Sequence, residues 1–209
     1  MRNIVELVLN DEDILSGVEA ISIVSAPAIE ENFITLSKEQ TFLAKVDGEK
    51  RILMGAALVP NKMIYRRRGE EEYYVFFTEE TIRKVSELFL TKGNQNKATL
   101  EHEVKLDGLS VVESWVVEDK EHDKTKKYGL DVPLGTWMVS MKVYNDQVWE
   151  EFVKSGKVKG FSIEGYFVDK VNFSDASDTK QISLLDSITE VEAEKKLEEL
   201  KSILIENQE

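Results

Sequence analysis

The sequence predicts an α+β domain, a mainly antiparallel β-barrel or half-barrel with a few flanking helices and a C-terminal helix. Three observations lead there. Short β-rich segments recur from Ile4 to Val168 and are broken by Pro27, Pro60 and glycine- or asparagine-bearing turns. Before the tail, helical periodicity is confined to a run after Thr78 and a shorter one after Asn145. Two alternating runs also flank Asp107-Gly108, a dipeptide suited to a two-residue hairpin turn.

Taken in order, Ile4–Leu9 and Ala20–Val24 read as strands, the second stopped by Pro27, while Phe33–Leu43 fits either state. Arg51–Val59 is an apolar strand ended by Pro60-Asn61, and Met63–Tyr65 leads into the basic triplet Arg66–Arg68. Tyr73–Phe77 is a strand. Thr78 then caps a helix whose first turn holds Glu79 and Glu80 and whose buried stripe is Ile82, Val85, Leu88 and Phe89, with Gly93 closing it. Thr99–Leu106 and Leu109–Val117 form the expected hairpin, and the charged stretch Glu118–Lys127 a solvated loop. Thr136–Tyr144 and Val158–Val168 are strands on either side of a short helix capped by Asn145 and ended by Gly156. Residues 1–170 would form the main domain and 171–188 a linker or terminal strand. An amphipathic helix would occupy 189–207, with Ala193, Leu197, Leu200 and Leu204 on one face.

Composition narrows the chemistry. A net charge of -13 disfavours a nucleic-acid binder, and the Arg66–Arg68 island is too small to reverse that. With no cysteine there are no disulfides, thiolate nucleophiles or Cys-based zinc sites. The opening residues lack the pattern of a signal peptide, and no apolar run reaches membrane-spanning length, so the reading expects an intracellular, soluble protein without membrane contact. The sole imidazoles are His102 and His122, and His122 lies in the charged loop EDKEHDKTKK.

With Asp107-Gly108 as a two-residue turn, Val104 pairs with Val111, His102 with Glu113 and Leu100 with Trp115. A histidine and a carboxylate then lie side by side on an apolar face, where the acid can fix the tautomer of a base. The plainer reading is a core histidine satisfied by a neighbouring Glu. A nucleophile must be Ser, Thr or a metal-bound water, and Ser162 in KGFSIEGYF is bracketed by Gly160 and Gly165, which leave room for a substrate backbone. The spacing is not that of a nucleophile elbow, and such a serine is ordinarily structural. A metal site built from His102 with Glu101 or Glu103 is poorly convergent, because adjacent strand residues point to opposite faces.

Several blocks resemble the XkdF-type serine proteases of tailed phages: GVEAISIVSAPAIEENF, GAALVPNKMIYRR, LEHE, VVESWVVEDKEHDKTKKYGL, PLGTWMVSMKV with NDQVW, and SGKVKGFSIEGYF, in order over roughly residues 15–170. That family is related to the phage prohead proteases and, more distantly, to the herpesvirus capsid-maturation proteases. The resemblance implies an antiparallel barrel with a strand-borne histidine as base, falling on His102, and a strand-borne serine as nucleophile, falling on Ser162. In related prohead proteases an acidic residue precedes a strand similar to AISIV, and the position matching it here is Ala20. Glu19 and Glu164 are alternatives for the third member. Alternation directs Glu19 away and places Glu164 on the serine's own face, so hairpin geometry favours Glu113. The backbone N–H near Ile163 and the Arg66 guanidinium are the candidate oxyanion donors.

The implied activity is serine endopeptidase maturation of the phage head, with scaffold and major capsid proteins as substrates, inside the procapsid in the host cytoplasm. No cofactor is implied. The tail helix would dock on a scaffold partner, mediate self-association or pack on its own domain. The competing reading is a catalytically silent head-assembly or scaffold-interaction module with the same fold.

Overall fold

Alternation along the chain builds strands first. The computed structural model describes residues 3–10, 12–29, 34–36, 50–170 and 181–183. Strands β1 (Asn3–Val8), β2 (Gly17–Val24), β5 (Ile64–Arg68), β6 (Glu71–Phe76), β7 (Ala98–Leu100), β8 (Val104–Leu106) and β11 (Gly160–Asp169) form a curled half-barrel sheet in the order β5-β6-β1-β11-β2-β7-β8. Strand β12 (Gln181–Ser183) pairs with β11 off that path. A four-stranded sheet holds β3 (Ile34–Leu36), β4 (Ile52–Leu58), β10 (Trp137–Val143) and β9 (Leu109–Val116), in the order β3-β4-β10-β9. Among the described residues, the strands pair antiparallel except where β1 meets β6 and β2 meets β7, and an isolated parallel bridge joins Ser16 to Tyr166. The predicted α+β half-barrel is thus the observed class.

Helix α1 (Glu79–Thr91) starts where its sequence says it should. Thr78 Oγ1 accepts the Thr81 N–H, Glu79 and Glu80 occupy the first turn, and Gly93 follows the C-terminus at φ 72°. Its stripe of Ile82, Val85 and Phe89 is fully buried, and the Phe89 ring meets Trp137 edge-on at 5.4 Å. Asn145 caps the next helix by accepting the Val148 N–H at 3.0 Å; α3 (Asp146–Val148) runs on into a π-helical segment, Trp149–Lys154. The charged loop holds a single helical turn, α2 (Lys124–Lys127), capped by Asp123. Fully buried Phe77, Phe161, Phe167 and Trp137 sit in the core, Phe77 and Phe167 packed edge-on at 4.8 Å. No helix among the described residues is long and apolar enough to cross a membrane. Residues 171–180 and 184–188 of the expected linker or terminal strand and the whole expected tail helix, 189–207, lie outside the described residues.

The expected hairpin through Asp107-Gly108 is not formed. Strand β7 turns back at once: Leu100 pairs with Val104, and the Glu103 N–H closes on Leu100 O at 3.0 Å. The turn residues Glu101 and His102 have φ of 52° and 65°, both left-handed. Asp107-Gly108 is a corner instead, carrying the chain from β8 in one sheet to β9 in the other. Gly108 has φ 76°, and its carbonyl accepts from the Tyr144 N–H at 2.7 Å, which pins the corner to the end of β10.

Candidate active site

The site grows from one face of three adjacent strands. In the antiparallel pair β11–β2, Ser162 is the register partner of Ser22 and Glu164 of Ala20; in the parallel pair β2–β7, Ser22 lies beside Thr99. Directly paired residues share a face, as do residues two apart, so Ser162, Ser22, Thr99 and Glu164 project to the same side. Phe161, Ile163, Ile21 and Ile23 take the other side and are buried in the core. Ser162 itself is 8% exposed.

His102 reaches this face from the turn after β7. Its Nδ1 lies 3.2 Å from Glu164 Oε1, and the same carboxylate oxygen accepts the Thr99 hydroxyl. With Nδ1–H donating to the carboxylate, the lone pair is left on Nε2, the tautomer a general base needs. Both side chains are largely buried, 9% exposed for His102 and 16% for Glu164. Among the described residues no hydrogen bond joins Ser162 Oγ to His102; they are linked through Ser22, whose Oγ accepts the His102 backbone N–H at 3.0 Å.

Two consecutive non-glycine residues in the left-handed region store strain, about 1–2 kcal/mol each. Strand β2 and the residues after it hold them there. Glu101 N–H donates to Ile23 O at 3.1 Å, and the Ser25 N–H donates to Glu101 Oε1 at 2.7 Å.

Burial acts to raise the Glu164 carboxyl, but hydrogen bonds from His102 and Thr99, with the charge of His102, outweigh it and hold the carboxyl below its ordinary value. A depressed carboxylate stabilises the fold above the unfolded-state pKa and ceases to do so as pH falls through the folded one. Urea midpoints should therefore decline below about pH 4.3, and Glu164→Gln should flatten that decline. Parallel acid limbs for the two proteins would refute the depressed carboxyl.

Glu113 does not meet His102. It lies on β9 in the other sheet, opposite Ser140, and its carboxylate pairs with Lys124, which with Ser140 lowers its pKa. The expected His102–Glu113 pair failed because Asp107-Gly108 separates two sheets rather than joining two neighbours. Glu19 points outward beside Lys97 at 3.6 Å. His122 is 81% exposed and bonds Asp119 at 2.9 Å, as its loop position suggested. Ile163 has its side chain in the core, opposite Ser162, so its backbone alone remains a candidate donor.

The arginine triplet is not a uniform basic patch. Alternation turns Arg67 outward and puts Arg66 and Arg68 on the other face. Arg66, inside the strand, is buried, while Arg68 at the strand's end is exposed, and Arg66 Nη1 donates to Tyr65 O at 2.8 Å. Arg66 and Ser162 line one cavity of about 10 Å³, room for about one water, closed by Ala28, Ile29, Ile64 and Phe161. Ser22 and Thr99 were not singled out from the sequence, and Glu101 only as a metal ligand weighed beside His102. The available signal was the lone hydroxyl in the alternating run AISIV, on the face opposite Ile21 and Ile23.

No curated protein and no solved structure matches the chain. A family model described as "Putative phage serine protease XkdF" matches residues 39–170, which include His102, Ser162 and Glu164. The chain belongs to that family of phage serine proteases.

Proposed function

We propose that the protein is a serine endopeptidase of phage head maturation, with Ser162 as nucleophile, His102 as general base and Glu164, in place of Glu113, as the acid that orients the base. The observation that carries this reading is the Glu164–His102 contact on the face of β11 that also bears Ser162. Glu164 stands across from Ala20, the position where the resemblance calls for an acid, so the neighbouring strand supplies the carboxylate that Ala20 lacks.

In this reading His102 Nε2 takes the Ser162 hydroxyl proton as Oγ attacks a peptide carbonyl. Collapse of the tetrahedral intermediate breaks the C–N bond, and the imidazolium gives its proton to the leaving amine. Water, deprotonated by the same imidazole, then hydrolyses the ester and restores Ser162. The Glu164 carboxylate stabilises the imidazolium in both halves. Arg66, beside Ser162 in the cavity, or the Ile163 backbone N–H would answer the developing oxyanion. Scaffold and major capsid proteins are the proposed substrates, inside the procapsid in the host cytoplasm, with self-association as a further proposal.

One observation favours the second reading, a catalytically silent head-assembly module: the cavity beside Ser162 has room for about one water and not for a peptide. Fluorophosphonate labelling separates the two, since the reagent needs an activated serine but no known substrate. The peptidase gives a single adduct on Ser162, lost in Ser162→Ala and reduced at least about a hundredfold in His102→Ala. An adduct on another serine, or none at any protein concentration, rejects the proposed mechanism for the isolated chain.

A further inference from the structure

Within β2, Ser22 is the single hydroxyl residue, and it is fully buried on the face shared with Ser162. Its Oγ donates to Thr99 O at 3.3 Å and accepts the His102 N–H at 3.0 Å. The first bond stays within the β2–β7 ladder, which runs from Ile21↔Ala98 to Ile23↔Leu100; the second reaches past it into the turn that follows. We propose that Ser22 is a positioning residue: its hydroxyl holds the left-handed turn so that the His102 imidazole meets Glu164 on the face of Ser162.

The turn needs holding because its sequence does not choose it. Left-handed pairs at hairpin tips normally contain Asn, Asp or Gly, and here both residues carry long or bulky side chains. The bonds from Ile23 and Ser25 secure Glu101, the first of the two. Among the described residues, Ser22 supplies the acceptor for the His102 backbone itself. Ser22 is also the register partner of Ser162, so one strand pair sets the positions of the serine and of the turn that carries the histidine. Without the hydroxyl, the His102 N–H would lose its acceptor in a partly buried setting, and the turn would relax toward right-handed backbone.

The inference rests on the peptidase reading for its kinetic consequence, but not for its geometric one, and the test separates them. The full-length wild type, Ser22→Ala and Glu101→Ala would be prepared with ¹⁵N-labelled histidine. Fluorophosphonate labelling rates at Ser162 and the downfield Nδ1–H resonance of His102 would be read on each, with thermal melts as a check on folding. Ser22→Ala should label about 30-fold more slowly and lose the resonance while still melting cooperatively. Glu101→Ala removes the Ser25 bond without touching the buried serine and should show a smaller loss, about fivefold.

Labelling within about twofold of wild type, with the resonance intact in Ser22→Ala, would make Ser22 an ordinary satisfied core hydroxyl and overturn the proposal. Should the wild type not label, the peptidase reading fails and the resonance decides alone: its loss in Ser22→Ala supports the positioning role, and its persistence overturns it. Should Ser22→Ala fail to fold, Ser22→Cys decides, since a thiol fills the same space but accepts the His102 N–H more weakly: a weakened resonance supports the positioning role, and an unchanged one overturns it.

Discussion

Glu164→Gln should slow phosphonylation of Ser162 by a fluorophosphonate roughly a thousandfold or more, while Glu113→Gln should leave it within about twofold. The contrast follows from where the two carboxylates stand. Glu164 lies 3.2 Å from His102 Nδ1, shielded from water and also bonded by Thr99. An amide there can present its NH₂ to Nδ1. That pairing selects the tautomer with the proton on Nε2, which cannot accept a proton from Ser162, and it removes the charge that stabilises the imidazolium. Glu113 is 47% exposed and paired with Lys124 on the other sheet, so its loss breaks a surface pair worth little. Second-order labelling rates with a fluorophosphonate measure both variants. A large loss in Glu113→Gln with none in Glu164→Gln would restore the hairpin pairing that the register argues against.

How far the sequence discloses this site depends on whether local chemistry or tertiary contact decides each element. The caps at Thr78 and Asn145 and the stripe of Ile82, Val85 and Phe89 are local statements, and the helices begin where those residues stand. Strand β11 was legible from its apolar content, and with it the face shared by Ser162 and Glu164. Asp107-Gly108 was legible as a turn but not as a corner, because turn chemistry does not say which sheet each flanking strand will join. Glu101-His102 was unreadable for the opposite reason. Neither residue favours a positive φ, so nothing local marks a turn that contacts from β2 hold in place. Arg66 was partly legible, since period-two alternation turns Arg67 outward and leaves Arg66 and Arg68 on the other face, yet only the curled sheet that holds both β5 and β11 brings Arg66 to the cavity that Ser162 lines.

Gly165→Ala should destabilise the protein by about 3 kcal/mol or more and abolish Ser162 labelling together with it. The two glycines flanking Ser162 suggested room for a substrate backbone, but at Gly165 that room is already filled by the chain itself. A Cβ there would overlap the carbonyl oxygen of Gly17 and stand 2.9 Å from both Gly17 C and Val18 Cα. These are backbone atoms of β2, and no rotamer change moves them. The close approach coincides with a register shift, where pairing jumps from Glu164↔Ala20 to Gly165↔Val18 and skips Glu19. A methyl group would have to push β2 away from β11 at the bulge that aims Glu164, and β2 also bears Ser22 two residues beyond Ala20. Stability and the site should therefore fail together. Gly156→Ala is the matched control. A Cβ there meets nothing within 4 Å, and its φ of 72° leaves only the backbone penalty, about 1 kcal/mol, with labelling retained. Urea melts and labelling of the two variants should diverge. Equal midpoints would mean that β2 and β11 separate more freely at Gly165 than their close approach allows.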